Sequence, residues 1–278
     1  TAPGGGESAE FSNLTGTISV LTDGTGSASV PVSANATAGG PYSVSAQVGA
    51  FSANFSLTNN VGAPASIAIT GGSGQSATIL TAFAGPLGVV VRDIGNNPVS
   101  GVTVMFTAPG AGASAVFANS TNAISIVTDA AGVASAPAGA NAIVGGPYAV
   151  VAQAGALSAN FALTNTVGAP ASILVTGGNN QSATILTAFA GPLAVVVRDA
   201  GNNPVPGASV TFTAPGAGAS AAFSNSAAVI SVLTNGAGAA SSGALSANGV
   251  AGGPYNVSAA AGSASTNFAL TNTQGATA

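Results

Sequence analysis

The chain holds two positive side chains, Arg92 and Arg198, and both sit in the same pentapeptide, VVVRD, at residues 89–93 and 195–199. An Arg beside an Asp, kept twice in a nearly uncharged protein, invites a search for chemistry. Asp93, Asp129 and Asp199 are the carboxylates of the repeated segments, and Asp with Asn and backbone carbonyls can form a calcium ligand set. Asp23, Asp129 and Asn235 occupy one position in the turns LTDG, VTDA and LTNG. The same residue types cap tight turns through their side-chain oxygens without any ion. With so few carboxylates per boundary, capping is the expected use, and the three aspartates stay weak calcium candidates.

Catalysis has little to work with. Ser and Thr are abundant, but there is no His, Lys or Cys to activate a hydroxyl. A carboxylate dyad is open to Asp93 and Asp129, yet in the next copy Asp199 is accompanied by Asn235. The Gly-rich GGSG and PGAGAS stretches are followed by no Lys, so they read as hairpin loops and not as phosphate cradles. No enzyme activity and no cofactor are expected.

Composition narrows the partners. Of 278 residues 3% are charged and 47% hydrophobic, with a net charge of −4. Two cations cannot neutralise a run of phosphates, which excludes nucleic acid and electrostatic docking on anionic lipid. The apolar content is mostly Ala and Val interrupted by Gly, Ser, Thr, Asn or Pro, so no run reaches the ~18 residues of a membrane span. No basic segment followed by an apolar stretch stands at Thr1.

The chain repeats itself. A shift of 106 residues lays Val61 on Val167 with near identity through GAGAS, and lays Thr1 on Thr107. Residues 1–60 therefore read as the C-terminal half of a repeat, 61–166 and 167–273 as two repeats, and 274–278 as the start of a further one. The expectation is a window of a longer array; the alternative is a half-domain completed by another chain. A period this long suits independent domains in tandem better than a solenoid.

Within each repeat, apolar residues alternate: Val102, Val104 and Phe106 share a face, as do Leu87, Val89 and Val91. Turn signals such as GNNPV, TDAAG and VGGPY separate the runs. About seven short strands per repeat and no helical periodicity predict an all-β fold, tandem immunoglobulin-like antiparallel sandwiches in an extended rod. The rings recur in register: Phe11 with Phe117 and Phe223, and Phe55 with Phe161 and Phe268. Rings placed so are expected in the core, which leaves little for a sugar-stacking platform.

The pattern VRDxGNNPVxGxxVxFTAP, followed by VTDAAGVASA, GGPYAVVAQAG and FALTN, resembles the bacterial immunoglobulin-like repeats of the invasin and intimin type. The resemblance covers residues 61–273 and the fragment 1–60. It implies an exported β-sandwich array, extracellular or at a cell surface, serving as fibre or adhesin stalk. It also implies that Tyr42, Tyr148 and Tyr255 each tie a hydroxyl back to the backbone. The expected partners are neighbouring domains or identical chains, and a cell surface or matrix; the alternative function is an adhesive module whose repeats bind a receptor or glycan.

Alternation assigns roles within VVVRD. Val89, Val91 and Asp93 take one face and Val90 and Arg92 the other. Asp93 and Asp199 are expected to cap the following turn, Asp93 through the amides of Gly95 or Asn96. Arg92 and Arg198 are expected on the outer face, covering apolar surface with their stems or reaching a neighbouring carboxylate, domain or chain.

Overall fold

The computed structural model describes residues 1–275 and contains strands and turns with no helix among them. Strands β1 (Ala9–Phe11), β2 (Val32–Ala34), β3 (Gly39–Val48) and β4 (Phe51–Asn59) belong to residues 1–60. The next ten are β5 (Ser66–Gly71), β6 (Gln75–Thr78), β7 (Leu87–Arg92), β8 (Thr103–Thr107), β9 (Ala115–Phe117), β10 (Ala123–Val127), β11 (Val133–Ala136), β12 (Ala138–Ala140), β13 (Gly145–Ala154) and β14 (Leu157–Thr166). The last ten repeat this plan as β15 (Ser172–Gly177), β16 (Gln181–Thr184), β17 (Ala194–Arg198), β18 (Ser209–Thr213), β19 (Ala221–Phe223), β20 (Val229–Leu233), β21 (Ala239–Ser241), β22 (Leu245–Ala247), β23 (Gly252–Ala261) and β24 (Ala264–Thr273).

Each full repeat is a two-layer sandwich. One layer is the five-stranded sheet β10-β8-β13-β14-β6; the other is made by β11-β7-β5 and the β12-β9 pair. The all-β, immunoglobulin-like architecture is the expected one, with two differences. Ten strands form where about seven were expected, because the long loops add short pairs such as β9 with β12. The sandwich is not wholly antiparallel either: β6 runs parallel to β14, and β16 to β24. Strand direction around a crossover cannot be read from alternation, which is the same for both polarities.

The alternation itself is obeyed. In β8, Val104 and Phe106 are fully buried while Thr103 and Met105 face out. Phe106 lies 6.4 Å from Phe117 and 6.1 Å from Phe161, ring centre to ring centre, and Phe212 lies 6.3 Å from Phe223 and 6.1 Å from Phe268. Each such ring stabilises its sandwich by about 1.5–3 kcal/mol through apolar burial. The small Ala and Val side chains around them let the layers approach, and the Phe triad fills the space left.

Residues 1–60 depart from the ring pattern. Phe11 is buried beside Val44, but Phe55 is 57% exposed where Phe161 and Phe268 are buried. The expectation that Phe55 is a core residue fails here, because among the described residues only the β1–β2 pair packs on β3 and β4, over Val44, and no counterpart of β5 and β7 covers Phe55.

Glycine is required where β13 starts. Gly146 has φ of +133°, and a Cβ there would stand 2.8 Å from both the Leu163 carbonyl oxygen and the Thr164 Cα. The bulge between Gly145 and Tyr148 turns the strand so that Tyr148 faces inward over β14.

Candidate functional site

Several of the candidate residues gather where one repeat meets the next, and the VVVRD segment builds the meeting point. Strand β7 ends at Arg92, after which DIGNNP forms a turn. Asp93 donates its backbone N–H to Asn97 O (3.0 Å), and Asn96 N–H returns to Asp93 O (3.1 Å). Asn96 sits at φ 64°, a left-handed conformation that Asn tolerates. Asp93 is 6% exposed, and its Oδ1 accepts the Asn97 N–H at 2.8 Å. Asp199 does the same for Asn203 at 2.9 Å and also takes the Gly201 N–H at 3.0 Å. Of the expected donors to the Asp93 carboxylate, Gly95 or Asn96, Gly95 contributes weakly, as Gly201 does to Asp199, whereas Asn96 bonds the backbone oxygen and Asn97 is the turn's main donor. The turn is one residue wider than the sequence pattern discloses.

The second carboxylate oxygen leaves the turn. Asp93 Oδ2 accepts the N–H of Gly62 in the linker at 2.8 Å, and Asp199 Oδ2 accepts that of Gly168 at 3.0 Å. The Gly62 amide, with the Asn97 side chain next, holds the Asp93 carboxyl below its ordinary value.

Asn97 then crosses to the preceding repeat. Its Nδ2 donates to Ala36 O at 2.7 Å and its Oδ1 accepts from Ala38 N–H at 3.0 Å. Asn203 repeats this with Ala142 O at 2.8 Å and Val144 N–H at 3.3 Å. A primary amide matches a backbone segment as another strand would, donating once and accepting once. The same Nδ2 also points at the Asp93 carboxylate, 3.1 and 3.0 Å from its oxygens, so Asp93 orients the amide that grips the neighbour. The fit is close: a Cβ on Gly95 would overlap the Ala36 carbonyl oxygen, and one on Gly201 that of Ala142.

The gripped loop is anchored from within its own sandwich. Asn59, 5% exposed, donates through Nδ2 to Ser8 O (3.0 Å), Asn35 Oδ1 (2.9 Å) and Thr37 O (3.0 Å). Tyr42 OH donates to Asn59 Oδ1 at 2.7 Å. Tyr148 with Asn165 (2.8 Å) and Tyr255 with Asn272 (2.9 Å) are the equivalent pairs. Burial pushes the Tyr148 and Tyr255 hydroxyls up to about 12. The expected tie of these tyrosines to the backbone is corrected: the partner is a side chain, and that Asn reaches the backbone in turn. The sequence reading missed Asn35, Asn59 and Asn97. Their signal was recurrence in register, as Asn141 and Asn248, Asn165 and Asn272, and Asn203.

Asp129 lies away from this joint. Its Oδ1 accepts Ala131 N–H and Val133 N–H, each at 2.9 Å, closing its own hairpin, and Asp23 and Asn235 do likewise. Among the described residues no three of His, Cys, Asp or Glu come together as a metal site. Of the weak calcium candidates, Asp93 and Asp199 place both carboxylate oxygens on amides, and Asp129 places its Oδ1 there. Arg92 donates from Nη1 to Asn96 O at 2.8 Å and Arg198 to Asn202 O at 2.7 Å. Each arginine therefore binds the turn that follows it, a contact that the alternation of VVVRD did not indicate.

No family model and no curated protein matches the chain. Among solved structures it is similar to invasin, a bacterial integrin-binding protein, at 21% identity and a TM-score of 0.36, covering 74% of this chain and 39% of that one. It is also similar to surface layer protein SbsC domains 1–6 (14% identity, TM-score 0.32, 98% of this chain and 50% of that one). The D00-D0 domain of intimin gives 16% identity and a TM-score of 0.33, covering 73% of this chain and 98% of that one. The chain spans about two fifths of the invasin chain and half of the SbsC chain. Two-layer β-sandwiches follow one another along the chain, and invasin, intimin and surface layer protein domains are among its structural neighbours.

Proposed function

We propose that the chain is a structural segment of a secreted extracellular fibre or cell-surface stalk, whose work is to hold sandwiches in series and to associate with copies of itself. The observation that carries this reading is the joint: one Asp and one Asn, backed by a buried Tyr–Asn pair, meet the preceding repeat in the same way at both boundaries. A device spent on fixing neighbours, and repeated with each unit, serves extension.

The surface supports the same reading. It is built of Ser, Thr, Asn, Gly and Ala with few charges, so copies repel one another weakly. Two arginines leave a trypsin-like protease little to cut, which suits an exposed and durable material. An adhesive module would display the same exposed ring in every repeat, whereas Phe106, Phe117 and Phe161 and their copies Phe212, Phe223 and Phe268 in the second full repeat are buried.

Electron microscopy of the native material tests the proposal. The expected image is an extended array with an axial repeat of one sandwich, roughly 35–45 Å from strand dimensions. Compact particles with no array would overturn it. Saturable binding of a receptor or glycan by residues 61–273 would favour the adhesive alternative.

A further inference from the structure

The five-stranded sheet of each complete repeat ends on a free edge: β10 in one and β20 in the other pair on one side only, with β8 and β18. Amide direction alternates along that edge. Ala108 N–H bonds Asn122 O at 2.8 Å and Thr128 N–H bonds Val102 O at 2.9 Å, so Ile124 and Ile126, in the same register between them, turn their amides to β8. Ser125 and Val127 turn theirs outward. Ala123 faces outward too, but its oxygen is taken by Asn119 Nδ2 at 2.8 Å and Thr121 Oγ1 at 2.7 Å. The N–H and carbonyl groups of Ser125 and Val127 therefore have no partner among the described residues. In β20 the same holds for Ser231 and Leu233, with the Val229 oxygen taken by Asn225 Nδ2 at 2.9 Å. Elsewhere the repeat blunts its edges, as proteins do where pairing is avoided. Strand β5 is bulged between Ile69 and Gly71, and β6, β9, β11 and β12 stop after three or four residues. By contrast β10 (AISIV) and β20 (VISVL) carry no bulge, charge, Gly or Pro.

We propose that this edge joins the chain to a second copy of itself, β10 or β20 of one copy adding antiparallel to β10 or β20 of the other. The inference rests on the self-association proposed above and gives it a surface. The free groups fix the register. With Ser125 opposite Val127 of the second copy, each such pair exchanges two backbone bonds, Ile126 meets Ile126 on a twofold axis, and no outward group is left over. Placing Ser125 opposite itself would set Val127 against Ala123, whose oxygen is already engaged. Between β10 and β20 the equivalent pairs are Ser125 with Leu233 and Val127 with Ser231. The strand is thus complementary to itself, and no charge stands on it to oppose a copy. Ile124 and Ile126, which pack half-buried against the core, gain cover from the same side chains of the second copy. This is β-augmentation, in which backbone bonds supply affinity and the alternating side chains selectivity.

The full 278-residue chain contains no Cys, so single cysteines can report the register. Opposed Cα atoms in such a pair stand about 5.5 Å apart, within disulfide reach. Chains carrying Ser125→Cys, mixed with chains carrying Val127→Cys or Leu233→Cys and oxidised, should cross-link about tenfold faster than Ser125→Cys chains alone. Two double variants then test the contact. Ser125→Pro with Ser231→Pro removes outward N–H groups and no bond to β8 or β18. Val127→Lys with Leu233→Lys places charge at side chains that are 58% and 70% exposed, without cost to the sandwich. Sedimentation equilibrium should show self-association weakened about tenfold or more in both, with thermal unfolding near that of the native chain. Mixed chains that cross-link no faster than Ser125→Cys alone would overturn the proposal, as would association indifferent to both double variants. In either case an association that persists belongs to another surface, and the proposed function stands. A native chain that stays monomeric up to its solubility limit would overturn this edge and the self-association together.

Discussion

Two aspartates in one repeat, Asp93 and Asp129, each end a strand and each cap a turn, and their side chains do different work. Asp129 closes a hairpin with amides two and four residues on, both oxygen contacts staying local. Asp93 uses one oxygen in that way and sends the other to Gly62, in the linker 31 residues earlier. The first aspartate is solvent-exposed and is replaced by Asn235 in the next copy; the second is buried and is Asp in both copies. A carboxylate becomes part of an assembly when a second donor arrives from outside its turn, and here the linker supplies it.

Breaking the joint at its acceptor should have the largest effect. Asp199→Ala removes the partner of the Gly168, Gly201 and Asn203 amides, and bonds to a charged acceptor contribute more than neutral ones. A loss of about 2–4 kcal/mol is expected in the urea-unfolding transition of residues 167–273, together with looser coupling to the preceding repeat. Unchanged unfolding would show the turn to be held by its backbone alone.

Gly201→Ala should separate the joint from the fold. The added methyl collides with the Ala142 carbonyl and leaves its own turn's backbone bonds in place. The two Asn203 bonds across the boundary should be lost, about 1–3 kcal/mol of coupling. Small-angle scattering should show a more flexible chain while each thermal transition stays near its original temperature. A scattering curve identical to that of the native chain would mean that the boundary is fixed by other contacts.

Acid should discriminate between joint and sandwich more gently. The folded value of Asp93 lies below the ordinary 3.8, so its ionised form stabilises the joint above that value and the contribution fades as pH falls through the lowered one. Scattering from neutral to strongly acidic pH should therefore show the boundary between residues 1–60 and 61–166 loosening only at the acid end. Loosening near neutrality would assign it to another group. Smallest of all should be Asp129→Asn, within about 0.5 kcal/mol of native stability by urea unfolding, since Asn235 makes the same two bonds in the next repeat.

Much of this molecule could be read before it was seen folded. The 106-residue shift and the alternation of Leu87, Val89, Val91, Val104 and Phe106 led to the sandwich, and those side chains are buried. The capping role of Asp93 was also legible, since Asp before a Gly-Asn-Asn turn has few other uses. The reach of Asn97 was not. Nothing in GNNPV separates Asn96, which adopts a left-handed backbone, from Asn97, whose amide crosses to the preceding repeat. The exposure of Phe55 was equally hidden, because its column predicts a core residue and burial depends on what lies opposite.

By itself the sequence determined the period, the strand faces and the absence of groups that could carry charge-based chemistry, because these follow from local residue order. The tertiary structure decided the partners: Asp93 with Gly62, Asn97 with Ala36 across 61 residues, Tyr42 with Asn59, and Arg92 with its own turn. Side-chain alternation states which way a group points. Only the convergence of distant loops states what it meets, since a hydrogen bond needs its two atoms within about 3 Å whatever their separation along the chain.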